Sequence, residues 1–277
     1  LGIIFLGIQL KPFEFLDFGK IAIPLIIICI ISVLIVIKLL IKKLKIPTRM
    51  AYLISIGSTV CGTTAIMATA PVIKANKSEV SYAIANITLF GILSMLLYPY
   101  FANLYFDNQP LLIGLFLGTS IHETSQVAAA GLIYEQQFNS PETLNIATVT
   151  KLIRNTFLIV MIPLFAFLYN RGKTNKKDYS ILNIFPYFVL GFVGMIIIRN
   201  MGDQVFISNY NWNETINIIK FLSKIFLTMA MAAIGLSTNL KDIKSMGYKP
   251  FIVGFIAMLT VGIVCIITIE SYLKFFI

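Results

Sequence analysis

Five charged side chains fall within otherwise apolar stretches of the sequence: Glu123, Lys151, Arg154, Lys220 and Lys224. An ionisable group inside a membrane costs roughly 2.5–3.5 kcal/mol even on insertion scales, so each needs a physical reason. Glu123 follows His122 in TSIHETSQVAAAG. A carboxylate beside an imidazole could couple transport to an ion or relay a proton, because a carboxyl removed from water holds its proton more tightly. The same two residues could instead cap a break in a helix. Lys151 and Arg154 are three residues apart and share one helix face, with Asn155 beside Arg154. A guanidinium and an ammonium near hydroxyls and helix N-termini make an oxyanion site. Snorkelling to the interface, or a salt bridge to Glu123, is the alternative. Lys220 and Lys224 lie one turn apart near a helix start, where snorkelling is the better explanation.

Candidate hydrogen-bonding groups for a substrate come in two clusters. Ser58, Thr59, Thr63 and Thr64 form one, and Thr124, Ser125 and Gln126 form the other. Hydroxyls in membrane helices often bond only their own backbone, so the pairing of clusters carries more than any single residue. Cys61, inside the first cluster, fits a small packing residue better than a nucleophile or metal ligand. Asn86, Thr88 and Asn239 stand on otherwise apolar helices and either face the same cavity or join helices.

The elements that must position these groups are membrane helices. The chain has 277 residues, 58% apolar and 12% charged, where soluble proteins average about 25% charged. With a mean hydropathy of +0.87, a disordered chain, a nucleic-acid-binding arm and an ordinary soluble enzyme are excluded. Pro250–Ile269 and Tyr179–Ile198 are each twenty residues without a charge, Val80–Phe106 is twenty-seven and Ile21–Ile37 seventeen. A bilayer core needs roughly 20 apolar residues per helix. Asn155–Asn170, and Ile225–Leu240 extended back through Ile216, supply two more. The one histidine excludes a multi-histidine metal site, and three cysteines deep in apolar runs make no disulfide framework. No Walker loop, dinucleotide fingerprint or nucleophile elbow is present.

Two further stretches, 51–74 and 111–134, are long enough to span yet crowded centrally with Gly, Ser and Thr. Such composition predicts broken or re-entrant helices lining a wet cavity. They also match one another at an offset of 61: Gly57 with Gly118, Thr63 with Thr124, Ala68 with Ala129, and Ser58 with Thr119 conservatively. Gly7 and Gly19 pair more loosely with Gly235 and Gly247. If both stretches are re-entrant, connectors 38–49, 74–79, 171–178 and 241–249 share a face holding 14 Lys/Arg and three acids. The opposite face then holds four Lys/Arg and eight acids. That asymmetry makes the first face cytoplasmic, and the matched stretches enter from opposite sides as an inverted repeat requires.

The strings CGTTAIMATAPVIKANKSEVSYAIANITLFG, GTSIHETSQVAAAG, ATVTKLIRNTFLIVMIPL and FLTMAMAAIGLSTNL resemble the signature segments of the YeiH-type sulfate exporter family. The resemblance runs from Gly7 to about Tyr248. It implies a carrier similar to cation/proton antiporters, built from inverted repeats, with extra N-terminal helices. A chain opening on Leu1 inside an apolar stretch fits a numbering that begins within such a helix. The family pattern has Asp where this chain has Glu123, which keeps the carboxylate and adds a methylene. Cys61-Gly62-Thr63-Thr64 fits its Cys-Gly followed by small residues. The family name implies export of sulfate or a sulfonate-derived anion.

The expected fold is therefore all-α: a polytopic membrane protein with inverted repeats and two broken or re-entrant helical segments. One transporter domain spans 1–277, with a core of paired polar hairpins at 51–170 and flanking scaffold helices at 1–50 and 180–277. The expected function is secondary active transport of a small anion across the plasma membrane by alternating access, coupled to H⁺ or Na⁺. Ser58, Thr59, Thr63, Thr64, Thr124, Ser125, Gln126, Lys151 and Arg154 would bind substrate, and His122 and Glu123 would carry coupling. No cofactor or metal is expected, and the partners are the anion, the coupling ion, the bilayer and a second copy of the chain. An anion channel is the alternative. An intramembrane enzyme using His122 with Cys61 or a serine is disfavoured, since no nucleophile sits in a recognisable motif.

Overall fold

The computed structural model of the chain describes residues 1–9, 16–171, 188–206, 210–236 and 247–273. Among these residues every regular element is helical. In chain order they are α1 (Gly2–Leu6, continued by a 3₁₀ turn), α2 (Leu16–Leu44), α3 (Thr48–Thr59), α4 (Thr63–Thr69), α5 (Lys77–Phe106) and α6 (Pro110–Ser120). There follow α7 (Thr124–Phe138), α8 (Pro141–Thr156), α9 (Leu158–Arg171), α10 (Phe188–Val205), α11 (Tyr210–Leu236) and α12 (Lys249–Thr268, with a final wide turn).

Among the described residues, four segments are long and apolar enough to cross a membrane: Gly19–Leu44, Lys77–Phe106, Pro141–Tyr169 and Lys249–Ser271. Local chemistry sets their ends. Asn76 and Glu79 form a reciprocal cap on α5, the Asn76 N–H donating to Glu79 Oε2 at 2.7 Å. Pro141 opens α8, where its missing N–H leaves no bond unmade. The third span thus starts at Pro141 rather than Asn155, and the polar connector before it shrinks to Asn139 and Ser140. Of the stretches expected at 179–198 and 225–240, the structure describes α10 from Phe188 and α11 as far as Leu236. Asn239 lies outside the described residues.

Both polar stretches fold as broken hairpins that return to the end of α5 from which they start, the arrangement a re-entrant segment requires. At 1.5 Å per residue α3 and α6 are only about 18 and 16 Å long, roughly half of a bilayer core of about 30 Å. α3 follows the N-terminal half of α5, with Gly57 against Ile87 and against Ile66 of its own returning limb. After the break at 60–62 the chain turns back, and Ala70 and Ile73 share a core with Ile46 and Met50 at the entry. α6 enters from the other end of α5. Its Phe116 packs on Tyr98 and Phe106, with ring centroids 5.1 and 6.0 Å apart. α7 then returns beside α5, where Tyr134 donates to Asn103 at 2.8 Å and Phe138 meets Tyr100 at 6.1 Å.

One helix carries the second hairpin. α8 lies against both of its limbs, and Gly114, Gly118 and Gly131 permit this because a Cβ there would strike Ile146, Ala147 or Thr150, and Leu144. α2 and α12, from the flanking segments 1–50 and 180–277, pack on each other and on the hairpins. The reason is one buried stripe on α2, Ala22, Leu25, Ile26, Cys29, Ile30, Val33 and Ile37 at helical spacing. A second group comprises α1, α10 and α11. Here Ser223 Oγ donates to Gly2 O at 2.8 Å, Phe5 meets Phe226 at 6.0 Å, and Trp212 Nε1 donates to Asp203 at 2.8 Å.

Candidate functional site

α3 and α6 both end at the centre of the molecule, pointing at α8. A helix C-terminus leaves its last carbonyls without intrahelical partners and carries about half a negative charge. Lys151 and Arg154, one turn apart on α8, meet both ends. Arg154 Nη2 donates to Ser58 O at 2.6 Å, Nε to Thr59 O at 3.0 Å, and Nη1 to Thr119 O at 2.5 Å and Ile121 O at 3.2 Å. Lys151 Nζ donates to Val60 O at 3.0 Å, Ile121 O at 2.9 Å and His122 O at 2.5 Å. Residues 61 apart in sequence are therefore held by the same cation: Ser58 and Thr119 by the guanidinium, Val60 and Ile121 by the ammonium.

This changes the expected role of the two cations. Lys151 is fully buried and Arg154 is 2% exposed, so neither snorkels. Among the described residues neither forms a salt bridge with Glu123. An ammonium has three N–H donors, and all three of Lys151 go to carbonyls. Lys151 has no N–H left for an anion. These bonds cap two broken helices and place positive charge at the crossing, with four of the five Arg154 N–H groups used in them.

The backbone between α6 and α7 is extended at Ile121 and at Glu123, and in such a chain consecutive side chains diverge. No hydrogen bond joins His122 to Glu123 among the described residues. His122 is fully buried and neither ring nitrogen has a partner. Glu123 is half-buried and accepts from Thr88 Oγ1 at 3.3 Å. Its side chain lies over Gly62, where a Cβ would stand 2.7 Å from Glu123 Cγ. Glu123 occupies the N-cap position of α7 but makes no cap hydrogen bond. Among the described residues no hydrogen bond of the expected direct relay joins the two, and Glu123 makes no cap bond to α7. Lys151 and Arg154 satisfy the carbonyls at the ends of α3 and α6, not the N–H groups that open α7.

The hydroxyls divide into used and unused. Thr59 Oγ1 bonds back to Ser55 O and Ile56 O at 2.9 and 3.2 Å, which occupies it within its own helix. Ser58 Oγ is buried and unpartnered. Thr63 is buried and Thr64 half-buried. Thr124 Oγ1 accepts from Asn155 Nδ2 at 3.2 Å, Ser125 is exposed, and Gln126 Nε2 donates to Thr88 O at 3.2 Å. Asn86 joins helices, its Nδ2 donating to Pro250 O at 2.8 Å. Cys61 is buried packing, and Lys220 and Lys224 lie on α11.

Thr119 and Asn155 are additions to the expected site. Thr119 Oγ1 and Asn155 Oδ1 are buried without partners, as are Ser58 Oγ, Gln126 Oε1 and the His122 ring. The repeat offset pointed to Thr119 as the counterpart of Ser58. A buried polar group left unpaired costs about 1–3 kcal/mol, and six of the nine such side-chain atoms among the described residues lie at the hairpin tips and the adjoining turn of α8, the others being on Thr69, Asn86 and Arg199. Among the described residues no three His, Cys, Asp or Glu side chains gather as a metal site would require.

Comparison with known proteins places the sequence in a family. Residues 1–254 match the family described as Conserved hypothetical protein 698. A UPF0324 membrane protein of Fusobacterium nucleatum is 36% identical over 275 residues, covering 96% of this chain and 79% of the relative. UPF0324 membrane proteins of Clostridium tetani and Streptococcus agalactiae are 33% and 34% identical, each covering 95% of this chain and 77% of the relative. No solved structure matches the chain. With that identity along almost its whole length, the chain belongs to the UPF0324 family of membrane proteins, the YeiH-type family whose motifs it carries.

Proposed function

We propose that this protein is a secondary active transporter of a small anion, a sulfur oxyanion or sulfonate being the substrate class, exported across the plasma membrane by alternating access. The observation that carries the proposal is the meeting of two half-membrane hairpins, entering from opposite ends of α5, at one pair of buried cations. Broken helices meeting at the midplane are how secondary carriers build a central site. Lys151 and Arg154 supply positive charge in a low-dielectric setting, where it acts at longer range than in water. The contacts to substrate fall to Ser58, Thr63, Thr64, Thr124, Ser125, Gln126 and Thr119 at the tips. Glu123, half-buried between Thr88 and Gly62, is the group that takes up the coupling H⁺ or Na⁺. No step of this cycle makes or breaks a covalent bond, so the protein is not assigned as an enzyme.

The test is uptake of labelled sulfate, sulfite, thiosulfate or taurine into proteoliposomes under an imposed pH or Na⁺ gradient. Accumulation of one of them above its external concentration supports the proposal. Flux that only dissipates a gradient identifies a channel, and no flux of any of these ions overturns the substrate class.

A further inference from the structure

Away from the hairpin tips, a groove of about 380 Å³ lies between the end of α2, the start of α3 and the end of α9. Each helix lines it with residues three or four apart, so one face of each turns inward. Its walls are mainly aliphatic and aromatic, with Tyr52 and Phe165 in edge-to-face contact at 5.6 Å. Lys38 and Lys42, one turn apart on α2 and both exposed, stand at its mouth. Thr48 lies at the same level and Ser55, two turns deeper, closes the inner end. A second cavity of about 550 Å³ shares Thr48, Tyr52 and Leu168 and adds Arg49, Glu79 and Tyr169. There Arg49 Nε donates to the Tyr169 hydroxyl at 3.1 Å, and Glu79 is tied to the Asn76 N–H at 2.7 Å.

We infer that this groove holds an anionic phospholipid of the cytoplasmic leaflet, one acyl chain lying between α2, α3 and α9 and the phosphate meeting Lys38 and Lys42. Charge complementarity and position support this occupant together. The mouth opens at connector 38–49, which carries five of the Lys/Arg on the basic face. Basic pockets between helices on that side of a bilayer suit anionic headgroups. A free oxyanion would satisfy the lysines but leave the apolar wall in contact with water, which burial of a hydrocarbon chain relieves. The inference is independent of the transport proposal.

A lipid here would brace the stem of the first hairpin. Ser55 O accepts from Thr59 Oγ1, and Ser58 and Thr59, one turn further, are the carbonyls that Arg154 holds. Filling the groove therefore resists movement of α3 against α9.

The test is thermal unfolding of the purified full chain in detergent. Phosphatidylglycerol is compared with phosphatidylcholine of the same acyl chains, and with sodium sulfate and phosphate. Phosphatidylglycerol at saturation should raise Tm by about 4 °C or more beyond phosphatidylcholine. The Lys38→Gln/Lys42→Gln double variant should lose that difference while retaining the response to phosphatidylcholine. Lys43→Gln/Lys77→Gln, an equal change of charge outside the groove, should keep it. Equal shifts from the two lipids in the parent, or equal loss in both double variants, overturn the inference. A shift from sulfate or phosphate that Lys38→Gln/Lys42→Gln abolishes also overturns it, making the groove an ion vestibule.

Discussion

Glu123 lies directly over Gly62, and the two residues occupy equivalent positions 61 apart at the tips of the two hairpins. Gly62 has φ +66 and ψ −123, a conformation that side-chain-bearing residues rarely adopt. The space over its Cα is filled by the Glu123 side chain. Gly62→Ala should therefore insert into the membrane but lose about 1–3 kcal/mol of stability. It should also displace the carboxylate from Thr88. Thermal unfolding and proteoliposome flux check this, and parental values in both would show that the tips need not touch.

Replacing the cations should destabilise the protein before it affects any ligand. Arg154→Gln leaves up to four carbonyls without their donor and should cost about 3 kcal/mol or more, measured as a fall in Tm without added anion. Arg154→Lys should rescue only part, because an ammonium has three N–H donors in one point where the guanidinium meets four carbonyls with three nitrogens. A direct anion clamp would show the reverse, unchanged stability with weakened binding.

Glu123→Gln keeps the shape of the side chain and removes its titration. Transport by this variant should continue as anion exchange and lose its dependence on pH, measured as flux across a pH series. A profile identical to that of the parent would remove Glu123 from coupling.

Re-entrance predicts an unusual pattern of sidedness. The native Cys29, Cys61 and Cys265 are buried, so introduced thiols can be read against a low background. Lys43→Cys and Lys77→Cys should both react with an impermeant reagent from the cytoplasmic side, and Gln109→Cys and Gln137→Cys both from the other. Opposite sidedness within either pair would mean that the stretch crosses once.

Much of this was legible because membranes impose coarse rules. Uncharged runs marked α2, α5 and α12, and the tandem hydroxyls with the 61-residue offset marked both hairpins. Lys151 and Arg154 stood out because no loop accounted for them. Their role was not legible, because their partners are backbone carbonyls, which every residue has and no motif announces. Two other differences from the expected arrangement share a cause in tertiary context. α8 begins at Pro141 despite its polar first turns, in which Glu142 and Asn145 stay exposed while Thr143 and Ala147 are buried. Adjacency in sequence suggested a His122–Glu123 relay, yet extended backbone sends neighbours to opposite sides.

Arg154 grips both hairpin tips at once, and this limits how the molecule can work. Parting the tips would strand buried carbonyls beside a buried charge, at a cost of several kcal/mol. Opening to one side and then the other by swinging the two tips apart in turn is the expensive route. In the proposed transport cycle the two tips and α8 would therefore travel as one vehicle, with access changing as the walls around that vehicle shift past it.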